Sequence, residues 1–374
     1  MTDKRIYLSP PVVGEAEKKS LSNAIDSGWV APAGPQLDQF ERQLEEMFSG
    51  RRVLGVNSGT SALHLALRLL DIKPGDKVLV ATFTFTACAA SVRYLGAVPV
   101  FLDSEKETWN LDPAVLSEYL KNSEQKPKAL IVTHLYGMPA RIQEIKDICE
   151  EFGIDLIEDA AEAMGSVYKD HFPGSFGKFG IVSFNGNKIV TTSGGGILIT
   201  DDNGYDHGKY LSTQANSERY GYDHNEVGYN YRLSNVLASI GVAQLSRLDE
   251  FIQRKREIFA HYKAHLSADV FEFHDEAPGS YSNRWLTTPL IRSEYQEKVK
   301  PLELIRFLDD RNIECRQLWK PLHLHGAYSA FEFVGTGVAE KIFMRGLCLP
   351  SGSSLSTEQQ DYVITHINEY LTSV

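Results

Sequence analysis

Cysteine is scarce in this chain, and its placement excludes more than its number does. Cys88, Cys149, Cys315 and Cys348 stand far apart, with no CxxC pair and no Cys/His metal spacing. A disulfide framework and a zinc site are therefore not expected, and a reduced cytoplasmic setting fits best. Positive charge is also in short supply, since 38 Lys and Arg against 49 Asp and Glu leave a formal net charge of -11. No Lys/Arg run is long enough to make a basic face, so nucleic-acid binding is not expected and an anionic ligand must meet local basic residues. No apolar run approaches the roughly eighteen residues that span a bilayer, and the opening MTDKRIYLSPPVVGEAEKK has no apolar export core, so neither membrane insertion nor secretion is expected. Repeats and low-complexity tracts are missing too. What remains is an ordinary globular balance, 43% hydrophobic and 23% charged over 374 residues, a length suited to two domains.

Apolar spacing predicts amphipathic helices over residues 15–27 and 36–48, separated by GWVAPAGP, which cannot continue a helix. Short apolar runs then alternate with helical stretches: VLGV and SALHLALRLL, KVLVAT and ACAASVRYLG, VPVFLD, ALIVTH and RIQEIKDICEEFG, IDLIED, GIVSF, GGILIT. That alternation predicts an α/β fold whose mainly parallel sheet is covered on both faces. Helical text from Leu233 to about Leu266 follows, and VFEF, WLTTPLI, LELIRFLDDRN, IECRQL and a terminal helix from about Ser356 describe a smaller α+β unit. The expected division is a large domain over 1–245 and a small C-terminal domain over 246–374.

Ligands of open α/β sheets gather at the carboxyl ends of the strands. NSGTSALHLAL (57–67) follows a strand and opens a helix, where small hydroxyl and glycine residues leave free N–H groups for a phosphate, with Ser58 or Thr60 as an N-cap the alternative. In TFTFTA, Phe83 or Phe85 is placed to stack on a flat ring, unless both are core. LIEDAAEAMGS ends a strand in Glu158 and Asp159, of which one must point away from the other, and a carboxylate there can hold a protonated ring nitrogen or cap a helix. In FNGNKIVTTSGGG, Lys188 is either a solvated loop charge or an amine kept for covalent chemistry. A phosphate cradle, a stacking aromatic, a carboxylate and a lysine are together the parts that hold pyridoxal phosphate.

These segments, with THLYG, GYNYRLSNVLASIG, SNRWL and WKPLH, resemble the sugar-nucleotide aminotransferases of the DegT/StrS group from LSPP near the start to CLPSG near the end. The resemblance implies the fold type I of pyridoxal-phosphate-dependent transferases, with pyridoxal 5'-phosphate as cofactor. It implies that Lys188 carries the cofactor covalently, Asp159 pairs with its ring nitrogen, and Phe85 stacks on the ring. Gly59, Thr60 and Ser183 would hold the phosphate, with Glu162 near the hydroxyl side. Members are generally homodimers with shared active sites, and Asn230 in GYNYR would reach the other subunit's phosphate. Two departures stand out: Glu162 replaces the His or Gln of many relatives, and TTSGGG replaces the more frequent TTGEGG. The retained lysine argues against the deoxygenating branch, in which histidine stands there.

The resemblance further implies transfer of an amino group from L-glutamate to C4 of a nucleotide-linked 4-keto-6-deoxy sugar, a UDP-linked 2-acetamido sugar being expected and a GDP- or dTDP-linked hexose the alternative. Nucleotide diphosphates need cationic or amide donors, which makes Arg232, Asn283, Arg284, Arg316, Lys320 and His323 the candidates, with Trp29 a candidate to fold over the ligand. The competing class is a non-catalytic regulatory protein that senses the cofactor, against which stand the absence of an added helix-turn-helix and of a basic patch.

Overall fold

The computed structural model describes residues 4–218 and 220–374. Strands β1 (Arg52–Val56), β2 (Lys77–Ala81), β3 (Val98–Leu102), β4 (Ala129–Thr133), β5 (Asp155–Asp159), β6 (Val167–Tyr168), β7 (Phe179–Ser183) and β8 (Gly196–Thr200) alternate with helices in the first part of the chain. The helices there are α1 (Glu15–Asp26), α2 (Pro35–Met47), α3 (Gly59–Leu69), α4 (Ala87–Tyr94), α5 (Pro113–Asn122), α6 (Ile142–Phe152) and α7 (Asp202–Ser212). All of these strands except β6 join one sheet in the order β1-β8-β7-β5-β4-β2-β3, extended at its edge by the short strand Phe333–Val334. Pairing is parallel from β7 through β5, β4, β2 and β3 to that edge, and antiparallel where β8 meets β7 and β1. Every residue of β4 (ALIVT) is buried, as a strand covered on both faces requires.

The register decides what meets at the ligand edge. Gly196 pairs with both Val56 and Ser183, so the antiparallel β8 begins where β1 and β7 end. The glycine run, the start of α3 and the end of β7 are thereby brought to one place. A Cβ on Gly196 would stand 2.6 Å from Gly59 N, so only glycine permits β8 to start against the first turn of α3.

The later helices are α8 (Asn235–Leu245), α9 (Leu248–His265), α10 (Pro301–Asp309), α11 (Val338–Arg345) and α12 (Thr357–Ser373). The helical text from Leu233 onward is thus two helices. Ser246 ends the first, its hydroxyl bonding back to Ala243 O and competing with the backbone ladder. The apolar runs expected as strands shrink to two-residue ladders, Phe271–Glu272 with Leu290–Ile291 and Arg316–Gln317 with Leu347–Cys348. Tyr262, Phe271, Ile313, Leu349 and Ile367 form a second core around them. Among the described residues no helix is long and apolar enough to cross a membrane, and no His/Cys/Asp/Glu group is arranged to hold a metal.

Candidate active site

At the ligand edge of the sheet lies a cleft of about 840 Å³. Gly59, Thr60, Phe85, Asp159, Glu162, Ser183, Lys188 and Arg316, all singled out in the sequence, line it. They arrive from the ends of several elements, Gly59 and Thr60 from the start of α3 and Asp159 and Glu162 from the end of β5 and the turn after it. The Ser58 side chain caps α3 by accepting the Ser61 N–H at 3.0 Å, which leaves the amides of Gly59 and Thr60 at the open, positive end of the helix. Ser183 ends β7 beside them, and a Cβ on Gly59 would stand 3.1 Å from the Ser183 Cβ, so the glycine keeps that corner open.

The two carboxylates that close β5 do point opposite ways. Glu158 is fully buried away from the cleft, where it accepts from the Gly174, Phe176 and Gly177 amides and from His134 Nε2 at 3.0 Å. His134 Nδ1 takes the Ala140 N–H, which puts the ring proton on Nε2 and makes the His134–Glu158 contact a hydrogen bond. Asp159 faces the cleft, accepting from the Ala161 N–H at 3.0 Å and from the Cys88 thiol at 3.0 Å. It is 5% exposed and has no cationic partner among the described residues. A buried carboxylate of this kind is costly unless a positive group reaches it.

Lys188 sits on the turn after Phe184, whose ring is wedged edge-on against Phe40. Its backbone N–H bonds to Asn185 O, and its ammonium lies 3.2 Å from Glu162 Oε1 and 4.0 Å from the centroid of the Trp285 ring. Glu162 Oε2 accepts the Tyr136 N–H at 2.7 Å. Burial raises the Glu162 carboxyl to about 7, the neighbouring Asp159 charge adding to the shift while Lys188 and the Tyr136 amide oppose it. Trp285, Trp319 and Phe85 line one wall of the cleft and Tyr136 packs behind them, the four rings forming a chain with centroids 5.3 to 6.3 Å apart. Of these Phe85 is the most open, at 52% exposed, and free to meet a flat ring.

This arrangement fits pyridoxal phosphate: an unpaired buried carboxylate for the ring nitrogen, a helix start flanked by hydroxyls for the phosphate, an open aromatic face and a lysine amine share one cleft.

The nucleotide-binding candidates divide. Arg316 lines the cleft, exposed, with its guanidinium on Glu314 Oε1 at 2.8 Å. Arg232 is instead buried in an ion pair with Glu41 and donates to Gly55 O, tying α2 to β1. Asn283 is fully buried, its amide donating to Glu162 O and Met164 O. Arg284 lies over the Phe259 ring and donates to His274 O. His323 contacts Thr82 and Glu340 and stacks on Phe333 at 3.8 Å. None of these four lines the cleft, nor do Lys320 and Trp29, which are exposed elsewhere. Asn230 is exposed as well, and its carbonyl accepts from Asn57 Nδ2 at 3.2 Å. Sequence reasoning missed Cys88, Trp285, Tyr136 and the cleft-lining N-terminal Tyr7 and Ser9. SNRWL and THLYG did contain Trp285 and Tyr136, but nothing in spacing tells a wall aromatic from a core one.

Comparison with known proteins gives the family. The model of the DegT/DnrJ/EryC1/StrS aminotransferase family matches residues 11–368. EpsN of Bacillus subtilis is 45% identical over 96% of this chain and 94% of its own. The GDP-perosamine synthase of Escherichia coli O157:H7 is 36% identical, with 98% of this chain and 99% of that protein covered. Among solved structures, the aminotransferase TlmJ from Streptoalloteichus hindustanus superposes with a TM-score of 0.91 at 30% identity, covering 99% of both chains. The chain belongs to the DegT/DnrJ/EryC1/StrS aminotransferase family and is a pyridoxal-phosphate-dependent sugar aminotransferase of fold type I.

Proposed function

We propose that this enzyme moves an amino group from L-glutamate to C4 of a nucleotide-linked 4-keto-6-deoxyhexose, with a GDP-linked sugar as the natural acceptor. The placement of Lys188 between Glu162, Trp285 and the Asp159 side of the cleft supports the amino-transfer chemistry. The nucleotide rests on the relative at 36% identity, which is named for GDP-perosamine. Support thereby moves from the UDP-linked acetamido sugar expected from the sequence to the GDP-linked alternative.

Pyridoxal phosphate, when bound, supplies an electron sink that makes the donor's α-proton acidic. In this reading the amides of Gly59 and Thr60, with the Thr60 and Ser183 hydroxyls, hold its phosphate, Phe85 covers its ring, and Glu162 stands near its hydroxyl. Asp159 keeps a proton on the ring nitrogen. Lys188 is the amine that holds the cofactor and, once released, takes the proton from the α-carbon of glutamate. In the second half-reaction it returns a proton at C4 of the sugar. The aromatic wall shields this lysine from water. Arg316 is the cleft cation available to a diphosphate. A homodimer with shared sites belongs to the same reading, with Asn230 serving the partner's phosphate cradle.

The test is kcat/KM for GDP-, dTDP- and UDP-acetamido 4-keto-6-deoxy sugars side by side, with glutamate as donor. The GDP sugar should lead. A lead for either rival overturns the substrate and leaves the aminotransferase standing, whereas no turnover of any nucleotide sugar overturns the reading.

A further inference from the structure

Asp159 is held from below by a group that the reaction does not consume. Cys88 lies in the first turn of α4, fully buried, and its Sγ is 3.0 Å from Asp159 Oδ2. The sulfur is itself seated against two hydroxyls that line the cleft: Thr84 Oγ1 is 3.5 Å from it and Thr133 Oγ1 3.8 Å, and the two hydroxyls bond to each other at 2.7 Å. Burial and the neighbouring Asp159 charge push the thiol well above its ordinary range, so it stays protonated and the hydrogen bond runs from S–H to carboxylate. The Ala161 amide holds the other oxygen.

We propose that Cys88 is a positioning residue for Asp159: its thiol fixes the direction of the carboxylate toward the cleft while drawing less charge from that oxygen than a hydroxyl or amide donor would. The chemistry of the donor carries this. A thiol is a weak hydrogen-bond donor, whereas hydroxyl or amide donors stabilise the charged carboxylate more and make it a poorer base. A carboxylate that must keep a ring nitrogen protonated benefits from orientation without that loss. The proposal rests on the assignment of Asp159 to the ring nitrogen, and the experiment separates the two.

Holoenzyme is prepared with pyridoxal phosphate labelled with ¹⁵N in the ring, and the ¹⁵N chemical shift and the cofactor Kd are measured for the parent and for Cys88→Ala, Cys88→Ser and Asp159→Asn. Asp159→Asn should move the shift to the unprotonated position. If it does not, the assignment of Asp159 fails, whatever Cys88 does. Given that shift, Cys88→Ala should weaken cofactor binding about three- to tenfold through the lost hydrogen bond, with the ¹⁵N shift displaced part of the way. Cys88→Ser, nearly isosteric and safe for folding, should restore the affinity while the ¹⁵N shift stays displaced, because the hydroxyl draws charge from the carboxylate. A parental ¹⁵N shift in both Cys88 variants would overturn the proposal, and so would a parental Kd in Cys88→Ala.

Discussion

Lys188 Nζ and Glu162 Oε1 stand 3.2 Å apart with 12% and 3% of their side chains exposed, a contact in which burial and attraction work against each other. Burial dominates on the carboxyl, which rises from 4.5 to about 7. Between those values the native state binds more protons than the unfolded chain, so stability falls as the pH rises through that window and is level above it. Glu162→Gln removes the titration. Parent and variant apoproteins should melt alike near about pH 4, and the variant should be more stable at about pH 8, by roughly 1–3 kcal/mol. Calorimetry across that range checks it; a stability difference independent of pH would return the Glu162 carboxyl to its ordinary range.

The same lysine is expected to carry the cofactor. Borohydride reduction of the holoenzyme followed by peptide mapping should place the pyridoxyl mass on Lys188, and Lys188→Ala should lower turnover by about 10²- to 10⁴-fold or more. A modified Lys178 or Lys320 would remove Lys188 from the mechanism.

Ser193 adopts φ +72° in the TTSGGG loop, at the place where the more frequent TTGEGG has its first glycine. A left-handed conformation strains a residue with a side chain, which glycine relieves. Ser193→Gly is therefore expected to stabilise the apoprotein by about 1 kcal/mol, less whatever is lost in chain entropy, with kcat unchanged. A lower Tm in thermal unfolding would show that the serine is retained for its own contacts.

Much of this arrangement can be read in the sequence because the central strands are buried on both faces and so appear as unbroken apolar runs, as ALIVT does. The residues just after those runs then fall at one edge. The C-terminal ladders are two residues long, too short for any period to register, and WLTTPLI reads as a strand although its buried residues are held largely by loop contacts such as Lys255 Nζ to Trp285 O. Arginines are the hardest to place. Arg232 and Arg316 are alike as letters, and only the fold puts Glu41 against the first and open cleft against the second.

That difference predicts opposite phenotypes. Arg232→Ala strands the buried Glu41 carboxylate and should cost about 3–5 kcal/mol of stability, with KM for the nucleotide sugar unchanged in the folded enzyme. Arg316→Ala should leave the stability within about 0.5 kcal/mol. It should raise that KM about ten- to hundredfold through lost charge-assisted hydrogen bonds. Urea titration and steady-state kinetics on both variants decide it, and an unchanged KM in Arg316→Ala would send the diphosphate elsewhere.

Shared sites make a sharper prediction. Asn230 is exposed, and its backbone bridges to Thr213 while its carbonyl accepts from Asn57, so its side chain is displayed beside, and not within, its own cleft. If it serves the partner's phosphate cradle, Lys188→Ala and Asn230→Ala subunits should complement. In a mixed dimer one site then carries both lesions and the other carries neither. Random pairing of equal amounts would restore about one quarter of parental sites, since half of the dimers are mixed and half of their sites are intact. If Asn230 acted within its own subunit, both sites of the mixed dimer would be defective and mixing would restore nothing. Unfolding and remixing the two inactive variants, followed by an amino-transfer assay, separates these outcomes, and a fully active monomer in solution would refute sharing outright.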